Sequence, residues 1–313
     1  MKIGVDIMGG DFAPVTTSIG AVLAKNEIKD AAEIVLFGDK SLIEKHVKDA
    51  GGNINDFTIV HSTEVIGMGE HPAKAFQQKP NSSIALGFKL LSAGEIDGFA
   101  SAGSTGAMLV GAMYTVKSIP GVIRPTIAAA YPRPSGKYMI LADVGINVDC
   151  KPDVLYQYAM LASIYAQNVF GIVNPKIGLM NVGEEEEKGN LLSRTAHELM
   201  KDSKDFNFIG NIEGNDVFSE DKCDVIITDG FTGNVILKNI ESVYTLLKKR
   251  NVQDDYIKKL NFEDYGGTPV LGVNSSVMIG HGISNEFAIK NMIHHTKSIV
   301  ESRMVEKIKE AFK

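Results

Sequence analysis

Short apolar segments that alternate with helical patterns are the feature that most constrains the fold of this chain. The segments are KIGVD, EIVLFGD, FTIVHS, GFASAG, TIAAAY, YMILADVG, KIGLMN, FNFIGN and DVIITDG, and most of them precede a stretch with helical periodicity. Strands that alternate with helices in this way form a mostly parallel sheet that is covered by helices on both faces. The sequence therefore predicts an α/β fold.

Helices are predicted where apolar residues recur with helical spacing. Their expected ranges are 104–116, 151–170, 190–200 and 232–249, and one long helix is expected from about 285 to 312. No linker and no internal repeat interrupts the pattern. We therefore expect one domain over residues 1–313, built as a single body or as two lobes that share one sheet, with a short helical hairpin near 243–262.

Composition and charge limit the classes of function. The 313 residues are 44% hydrophobic, and 32 basic against 38 acidic side chains give a net charge of −6, so no overall positive field attracts nucleic acid. The N-terminus MKIGVDIMGGD lacks the features of a secretory signal, and no apolar run approaches the length of a membrane span. We expect a cytoplasmic protein whose two cysteines, Cys150 and Cys223, are reduced.

Polar, glycine-containing loops follow several of the predicted strands, and in sheets of this class ligands bind at the carboxyl ends of the strands. These loops span residues 6–11, 101–106, 143–147, 181–189 and 229–234. They carry the candidate residues for binding phosphate or substrate, which are Asp6, Gly9, Gly10, Asp11, Ser104, Thr105, Gly106, Asn147, Asn181, Gly233 and Asn234.

Two of these loops have the composition of an anion site. The segment SAGSTGAML places Ser104, Thr105 and Gly106 at a helix N-terminus, where N–H groups and hydroxyls converge. The segment DVIITDGFTGNVILK repeats this arrangement with Gly233 and Asn234. The alternative is a purely structural role, in which the serine caps the helix and the glycines allow a tight turn. Two such loops in one chain favour anion binding.

Lys188 and His281 are further candidates. Lys188 is the one cation in NVGEEEEKGN, and a lysine at a strand end can neutralise a phosphate or a developing oxyanion. Its alternative role is an exposed charge that balances the adjacent glutamates. His281 lies between glycines in IGHGIS, where a turn histidine that bonds to backbone is an equally good interpretation.

Several motifs with known chemistry are missing from the sequence. It contains no dinucleotide fingerprint, no Walker phosphate loop, no HExxH and no GxSxG, and its histidines form no zinc pattern. We therefore expect a protein that uses no cofactor and no metal.

An ordered series of segments through nearly the whole chain resembles the phosphate acyltransferase (PlsX) family of bacterial phospholipid synthesis. The segments are DIMGGDFAP, HPAKAF, SSIALG, SAGSTGA, RPTIAA, DVGINVDCKP, NPKIGLMNVGEEEEKGN, FIGNIEGND, CDVIITDGFTGNVILK and LGVNSSVMIGHG. The resemblance implies a three-layer α/β/α, doubly wound fold with a mostly parallel sheet, related to phosphotransacetylases and the isopropylmalate dehydrogenase group.

The resemblance also implies a reaction and partners. The expected enzyme is a homodimer that forms acyl phosphate from inorganic phosphate and a long-chain acyl group on acyl carrier protein. Contact with a membrane glycerol-3-phosphate acyltransferase and peripheral attachment to the membrane are further implications. Because phosphate attacks the thioester directly, no protein nucleophile is required. On this interpretation Ser104, Thr105, Gly233 and Asn234 bind phosphate, and the catalytic candidates are Lys188 for charge stabilisation, Asp229 for proton transfer or orientation, and His281.

Three departures from the family pattern bear on this interpretation. Ser104 stands in place of the asparagine in SAGNTGA, and Ile146 stands in place of the alanine in DVGAN. The segment YTLLKKRNVQDDYIKKLNFED is shorter than the helical hairpin of typical members, which weakens the case for membrane attachment. This segment could dock an acidic carrier protein or be a solvated hairpin.

Two alternative functions stay open at this point. One is a phosphotransacetylase-like enzyme that uses short acyl coenzyme A. The other is a non-catalytic protein that binds phosphate or the carrier protein without turnover.

Overall fold

The computed structural model describes residues 1–313, with the exception of the side chain of Phe262. The chain divides into two compact units. The first unit comprises Met1–Ser118 and Phe262–Glu301, and the second comprises Ile119–Asn261 and Ser302–Lys313.

Strands and α-helices alternate through most of the chain. The strands are β1 (Lys2–Asp6), β2 (Glu33–Gly38), β3 (Phe57–His61), β4 (Gly98–Ser101), β5 (Thr126–Pro132), β6 (Tyr138–Ala142), β7 (Lys176–Met180), β8 (Asn207–Ile212), β9 (Val225–Ile227), β10 (Thr268–Leu271) and β11 (Ser276–Ile279). The helices are α1 (Val15–Ile28), α2 (Lys40–Asp49), α3 (Pro72–Gln78), α4 (Ser83–Ser92), α5 (Thr105–Val110), α6 (Pro152–Phe170), α7 (Leu191–Met200), α8 (Gly230–Lys249), α9 (Asp255–Lys259), α10 (Glu286–Glu301) and α11 (Met304–Ala311).

In the first unit the strands lie in the order β3-β2-β1-β4-β11-β10. All neighbours are parallel except β10 and β11, which form an antiparallel pair. Strands β1, β2, β4 and β11 are apolar and mostly buried, as expected where helices cover both faces, whereas the edge strand β3 is partly exposed. Gly87 of α4 packs against the Phe99 ring on one face, and a Cβ added at Gly98 would lie 2.8 Å from Thr296 of α10 on the other.

In the second unit the strands lie in the order β5-β6-β9-β7-β8. Strands β6, β9, β7 and β8 are parallel, and β5 pairs with β6 in antiparallel orientation. Helix α6, with 19 residues, packs beside β6 and β9 and buries Tyr158 and Tyr165 completely. Pro152 stands in its first turn, where no backbone N–H is needed, and Gly171 ends it in the left-handed conformation.

The structure confirms the predicted fold class, with mostly parallel strands and helices between them. Four predicted helices are present, although the helix predicted at 104–116 continues as a π-helix after Val110. The prediction of one long helix over 285–312 is wrong. It divides into α10 and α11 because Arg303 adopts a φ of +53°, which the helix cannot continue through. Within the described residues, no helix has the length and apolar character needed to span a membrane.

The packing of α4 against the sheet can be tested at Gly87. Alanine is normally the better helix former by about 1 kcal/mol, but a Cβ at this position would overlap the buried Phe99 ring. We expect Gly87→Ala to lower the free energy of unfolding by about 1–3 kcal/mol, measured by urea denaturation. Gly69→Ala is the control, because no heavy atom lies within 4 Å of the added methyl. Equal stability of the two variants would contradict the tight packing.

Candidate active site

Three strand-end loops meet in the first unit. Strands β1, β4 and β11 are parallel neighbours, so the loops that follow them lie at the same edge of the sheet. A Cβ added at Gly9 would lie 2.7 Å from the backbone nitrogen of Gly103, and the Asp11 N–H donates to the Gly282 carbonyl at 2.8 Å. The structure therefore brings the predicted residues Gly9, Gly10 and Asp11 next to the loops that carry Ser104 and His281.

Asp6 lies beneath these loops and is 1% exposed. Its carboxylate accepts hydrogen bonds from the Ser101 hydroxyl at 2.6 Å and from the Met8 N–H at 2.9 Å. The same serine oxygen accepts from the Gly103 N–H at 2.9 Å. Burial raises the pKa of Asp6, and the hydrogen bonds from Ser101 and Ser83 oppose the shift. Asp6 thus joins the β1 loop to the β4 loop.

The start of α5 carries the donors that the sequence predicted. Ser104 is its N-cap, is buried, and accepts from the Ala107 N–H at 3.4 Å. The first backbone hydrogen bond of the helix runs from Met108 to Ser104. The N–H groups of Thr105 and Gly106 precede that bond, so the helix itself does not use them. Thr105 is exposed.

A buried carboxylate also organises the second unit. Asp143 is fully buried and follows β6. One of its oxygens accepts from the N–H groups of Ile127, Gly145 and Ile146, each at 3.3 Å, and the other accepts from the Asn147 N–H at 2.7 Å. Burial raises the pKa of Asp143, and these N–H donors oppose the shift.

The loop after β9 packs directly on this centre. The Gly230 N–H donates to the Asn147 carbonyl at 2.8 Å, and a side chain at Gly233 would overlap the Asp143 carbonyl. Asp229 caps α8 and accepts from both the N–H and the hydroxyl of Thr232, at 2.9 and 2.8 Å. The Gly233 N–H donates to the Asp229 carbonyl at 3.0 Å, while Asn234 is exposed.

The loop after β7 carries Asn181 and Lys188. The Asn181 amide donates to the Lys188 carbonyl at 3.1 Å and closes the base of the loop. Asn211 donates to the Glu185 carbonyl at 2.8 Å and is itself held by the buried His197 at 3.0 Å. Among the ion pairs of the described residues none involves Lys188, although four glutamates precede it in the chain.

The predicted residues of the second unit therefore share one edge of its sheet. Strands β6, β9 and β7 are parallel neighbours, and each one ends in a loop that carries a candidate residue. These residues are Asn147 after β6, Asp229, Gly233 and Asn234 after β9, and Asn181 and Lys188 after β7.

The two cysteines are held as thiols. Cys150 is half-buried, and its sulfur lies 3.3 Å from the Asn147 carbonyl. Burial raises its pKa to about 11, and the charges of Asp143 and Asp229 add to that effect. Burial likewise raises the pKa of Cys223 to about 12. Neither sulfur is therefore a thiolate near neutral pH, which is the form a nucleophile requires.

Sequence reasoning did not single out Ser101 and Asp143. A signal was present, because in both VDIMGG and ADVGIN an aspartate at the end of an apolar strand is followed within three residues by glycine. That pattern places a carboxylate beneath a turn whose N–H groups can bond to it.

The raised pKa of Asp6 makes folding stability depend on pH. The folded protein holds this proton more tightly than the unfolded chain, in which the pKa has its ordinary value of 3.8. The stabilisation is complete below that value and is lost as the pH rises through the folded-state pKa. The test compares the melting temperatures of the wild type and of Asp6→Asn, in which this position cannot titrate. We expect the melting temperature of the wild type, relative to that of the variant, to rise as the pH falls from about 7 to about 4. A difference that is constant with pH would contradict this origin.

Comparison with known proteins identifies relatives over almost the full length of the chain. A family model described as "Fatty acid synthesis protein" matches residues 1–307. A phosphate acyltransferase of Thermoanaerobacterium thermosaccharolyticum is 41% identical over 98% of this chain and 96% of its own length. A phosphate acyltransferase of Dictyoglomus turgidum is 40% identical over 99% of this chain and 97% of its own length.

Solved structures with similar folds include phosphotransacetylases and a putative 4-hydroxythreonine-4-phosphate dehydrogenase. A phosphotransacetylase from Streptococcus pyogenes has a TM-score of 0.65 at 19% identity, covering 96% of this chain and 94% of that one. A branched-chain phosphotransacylase from Enterococcus faecalis has a TM-score of 0.63 at 15% identity, covering 96% of this chain and 99% of that one. At such identities the likeness bears on the fold alone. The sequence relatives go further, and on their evidence the chain belongs to the phosphate acyltransferase family, a family of transferase enzymes.

Proposed function

We propose that this enzyme forms a long-chain acyl phosphate from inorganic phosphate and an acyl thioester of acyl carrier protein, in support of phospholipid synthesis. The observation that carries the proposal is the convergence of the β1, β4 and β11 loops beside the first N–H groups of α5. In a member of this family, such a set of donors is suited to hold phosphate without a metal or a cofactor.

Lys188 supports the second part of the proposal, which is the stabilisation of negative charge on the thioester. Its exposed side chain lies at the end of β7, and among the described residues it forms no ion pair. Other charges of this loop have partners, since Glu184 pairs with Lys222 and Glu186 lies 4.0 Å from His197. A lysine that is not neutralised by its neighbours can stabilise the oxyanion that forms on the thioester carbonyl.

The proposed reaction is a direct acyl transfer. A phosphate oxygen attacks the thioester carbonyl carbon, and the carbonyl electrons move onto oxygen to give a tetrahedral oxyanion. Collapse of this intermediate breaks the carbon–sulfur bond, leaves the acyl group on phosphate, and releases the carrier thiolate, which takes up a proton. Because the intrinsic pKa of such a thiol is about 8.5, the leaving group makes a modest demand on acid catalysis. Holding phosphate and stabilising the oxyanion then supply most of the rate enhancement.

Asp229 fits an orienting role better than that of a proton acceptor. Both of its oxygens accept hydrogen bonds from Thr232, so the carboxylate is committed to the start of α8. This arrangement fixes the turn that presents Asn234. In the proposal, therefore, Asp229 holds the loop, and Asn234 and Lys188 face the substrate.

The segment around the end of α8 is a candidate docking surface for the carrier protein. Five exposed cations lie between residues 248 and 259, and acyl carrier proteins are acidic partners by the family resemblance. These cations are Lys248, Lys249, Arg250, Lys258 and Lys259. We propose that this segment docks the carrier. The same proposal includes a cytoplasmic homodimer that passes its product to a membrane glycerol-3-phosphate acyltransferase.

The central experiment measures product directly. The purified protein is incubated with palmitoyl carrier protein with and without phosphate, and acyl phosphate is trapped with hydroxylamine. We expect product that depends on both substrates. Acetyl coenzyme A in a parallel reaction tests the phosphotransacetylase alternative, which the structural neighbours make worth separating. Binding of both substrates without release of carrier thiol would overturn the proposal.

Lys188→Ala tests the oxyanion assignment. Loss of one group aimed at a developing oxyanion costs about 100-fold or more in rate, so we expect a fall of that order in kcat with folding intact by circular dichroism. Lys137→Ala is the matched control, because Lys137 is also an exposed lysine of the second unit but precedes β6 at the opposite end of its strands. Similar kcat values for both variants would contradict the role of Lys188.

A further inference from the structure

Large apolar side chains stand exposed among the polar candidate residues of the second unit. Val148, Phe231, Val182 and Leu191 expose 58%, 63%, 78% and 75% of their surface. Single exposed apolar residues are ordinary on protein surfaces, but a group of them at the edge of a candidate site indicates contact with an apolar ligand.

A backbone hydrogen bond joins the two residues that precede Val148 and Phe231. The Gly230 N–H donates to the Asn147 carbonyl at 2.8 Å, and these are the residues that directly precede Phe231 and Val148. Both backbones are also fixed by Asp143, which accepts from Asn147 and lies 2.7 Å from a Cβ added at Gly230. The backbone segments that carry Val148 and Phe231 therefore lie next to each other at this edge of the sheet.

Val182 and Leu191 flank the base of the lysine loop. Val182 follows Asn181, whose amide holds the Lys188 carbonyl at 3.1 Å. Leu191 follows Asn190, the N-cap of α7, whose side chain accepts from the Ser193 N–H at 2.9 Å. Val182 and Leu191 thus lie on either side of Lys188 in the chain, and both side chains are exposed.

These two pairs occupy neighbouring positions because of the order of the strands. Val148, Phe231 and Val182 follow β6, β9 and β7, which are consecutive parallel strands. Adjacent strands lie about 4.8 Å apart, so the three loops span the width of two strand spacings.

We propose that Val148, Val182, Leu191 and Phe231 form the contact surface for the acyl chain of the thioester. The inference rests on the proposed function, because an acyl group that reacts beside Lys188 must leave its apolar chain near the same loops. The cavity of about 550 Å³ is less suitable for the chain, because it lies at the end of these strands opposite to Lys188 and charged residues, among them Lys137, Lys176 and Glu220, line it together with Phe170, Ile172 and Val173. The four apolar residues then determine preference for long chains.

The test compares substrates that differ only in chain length. Each methylene removed from water contributes about fourfold in affinity, so loss of a few contacts has a large effect on palmitoyl and little effect on butyryl substrates. For Phe231→Ser and for Val182→Ser/Leu191→Ser, we expect kcat/KM with palmitoyl carrier protein to fall about tenfold or more, and with butyryl carrier protein less than about threefold. Phe231→Leu should restore long-chain activity.

Val173→Ser is the matched control. Val173 is 92% exposed, but it precedes β7 at the opposite end of the strands. This variant should keep the chain-length profile of the wild type. Equal losses of activity for both chain lengths in the second-unit variants would overturn the assignment. Phe12 is an exposed residue of the first unit, and a loss of long-chain activity in Phe12→Ser, with the second-unit variants unchanged, would also overturn it.

A binding measurement separates this inference from the proposed function. Calorimetry with palmitoyl and butyryl pantetheine reports chain contacts without turnover. Chain-dependent binding that Phe231→Ser abolishes, in a protein that makes no acyl phosphate, would support the apolar surface and refute the proposed reaction. If the protein makes acyl phosphate but every variant keeps the wild-type ratio of palmitoyl to butyryl activity, the proposed reaction is supported and the apolar surface is refuted.

Discussion

Asp143 holds four backbone N–H groups from two segments of the second unit, and the neighbouring loops are built on that arrangement. Removing its carboxylate would leave the buried N–H groups of Ile127 and Asn147 unpaired, at a cost of about 1–3 kcal/mol for each of the two. Gly230 and Gly233 allow the start of α8 to approach this centre closely. Asp6 has the corresponding place in the first unit, where Ser101 links it to the β4 loop. A buried acid at the end of a parallel strand is thus the constraint on which both groups of candidate residues depend.

This constraint also decides which donors are left for a substrate. N–H groups that bond to Asp143 or to Asp229 cannot hold phosphate at the same time, so Gly233 contributes to the turn and not to anion binding through its N–H. The N–H groups of Thr105 and Gly106 at the start of α5 are in a different position, because they precede the first helical hydrogen bond. In the second unit the exposed side chains of Asn234 and Lys188 are further candidate groups. A site with few fixed positive charges suits the proposed reaction, in which phosphate enters as the nucleophile and leaves as acyl phosphate.

The sequence predicted the elements with strong local signals and missed those defined by distant partners. Apolar segments between helical patterns located β1 to β9, and helical periodicity located the starts of α7 and α8 to within about two residues. Strands β10 and β11 were not predicted, because each has four residues, one contains Pro269, and no helix separates them. The break at Arg303 was missed because its left-handed backbone leaves no mark in the side-chain pattern. The bond between Ser101 and Asp6 joins residues 95 positions apart, and local spacing cannot reveal such a pair.

The same geometry explains why two departures from the family pattern are compatible with the site. Ile146 contributes to the Asp143 centre through its N–H, which donates at 3.3 Å, and a backbone donor does not depend on whether the side chain is alanine or isoleucine. Ser104 acts as the N-cap of α5, and serine and asparagine are similarly effective in that position. The loops require a backbone conformation in which N–H groups either donate to a buried carboxylate or stay unbonded at the start of a helix. Side-chain identity matters more at exposed positions such as Lys188, where no backbone group can supply the charge.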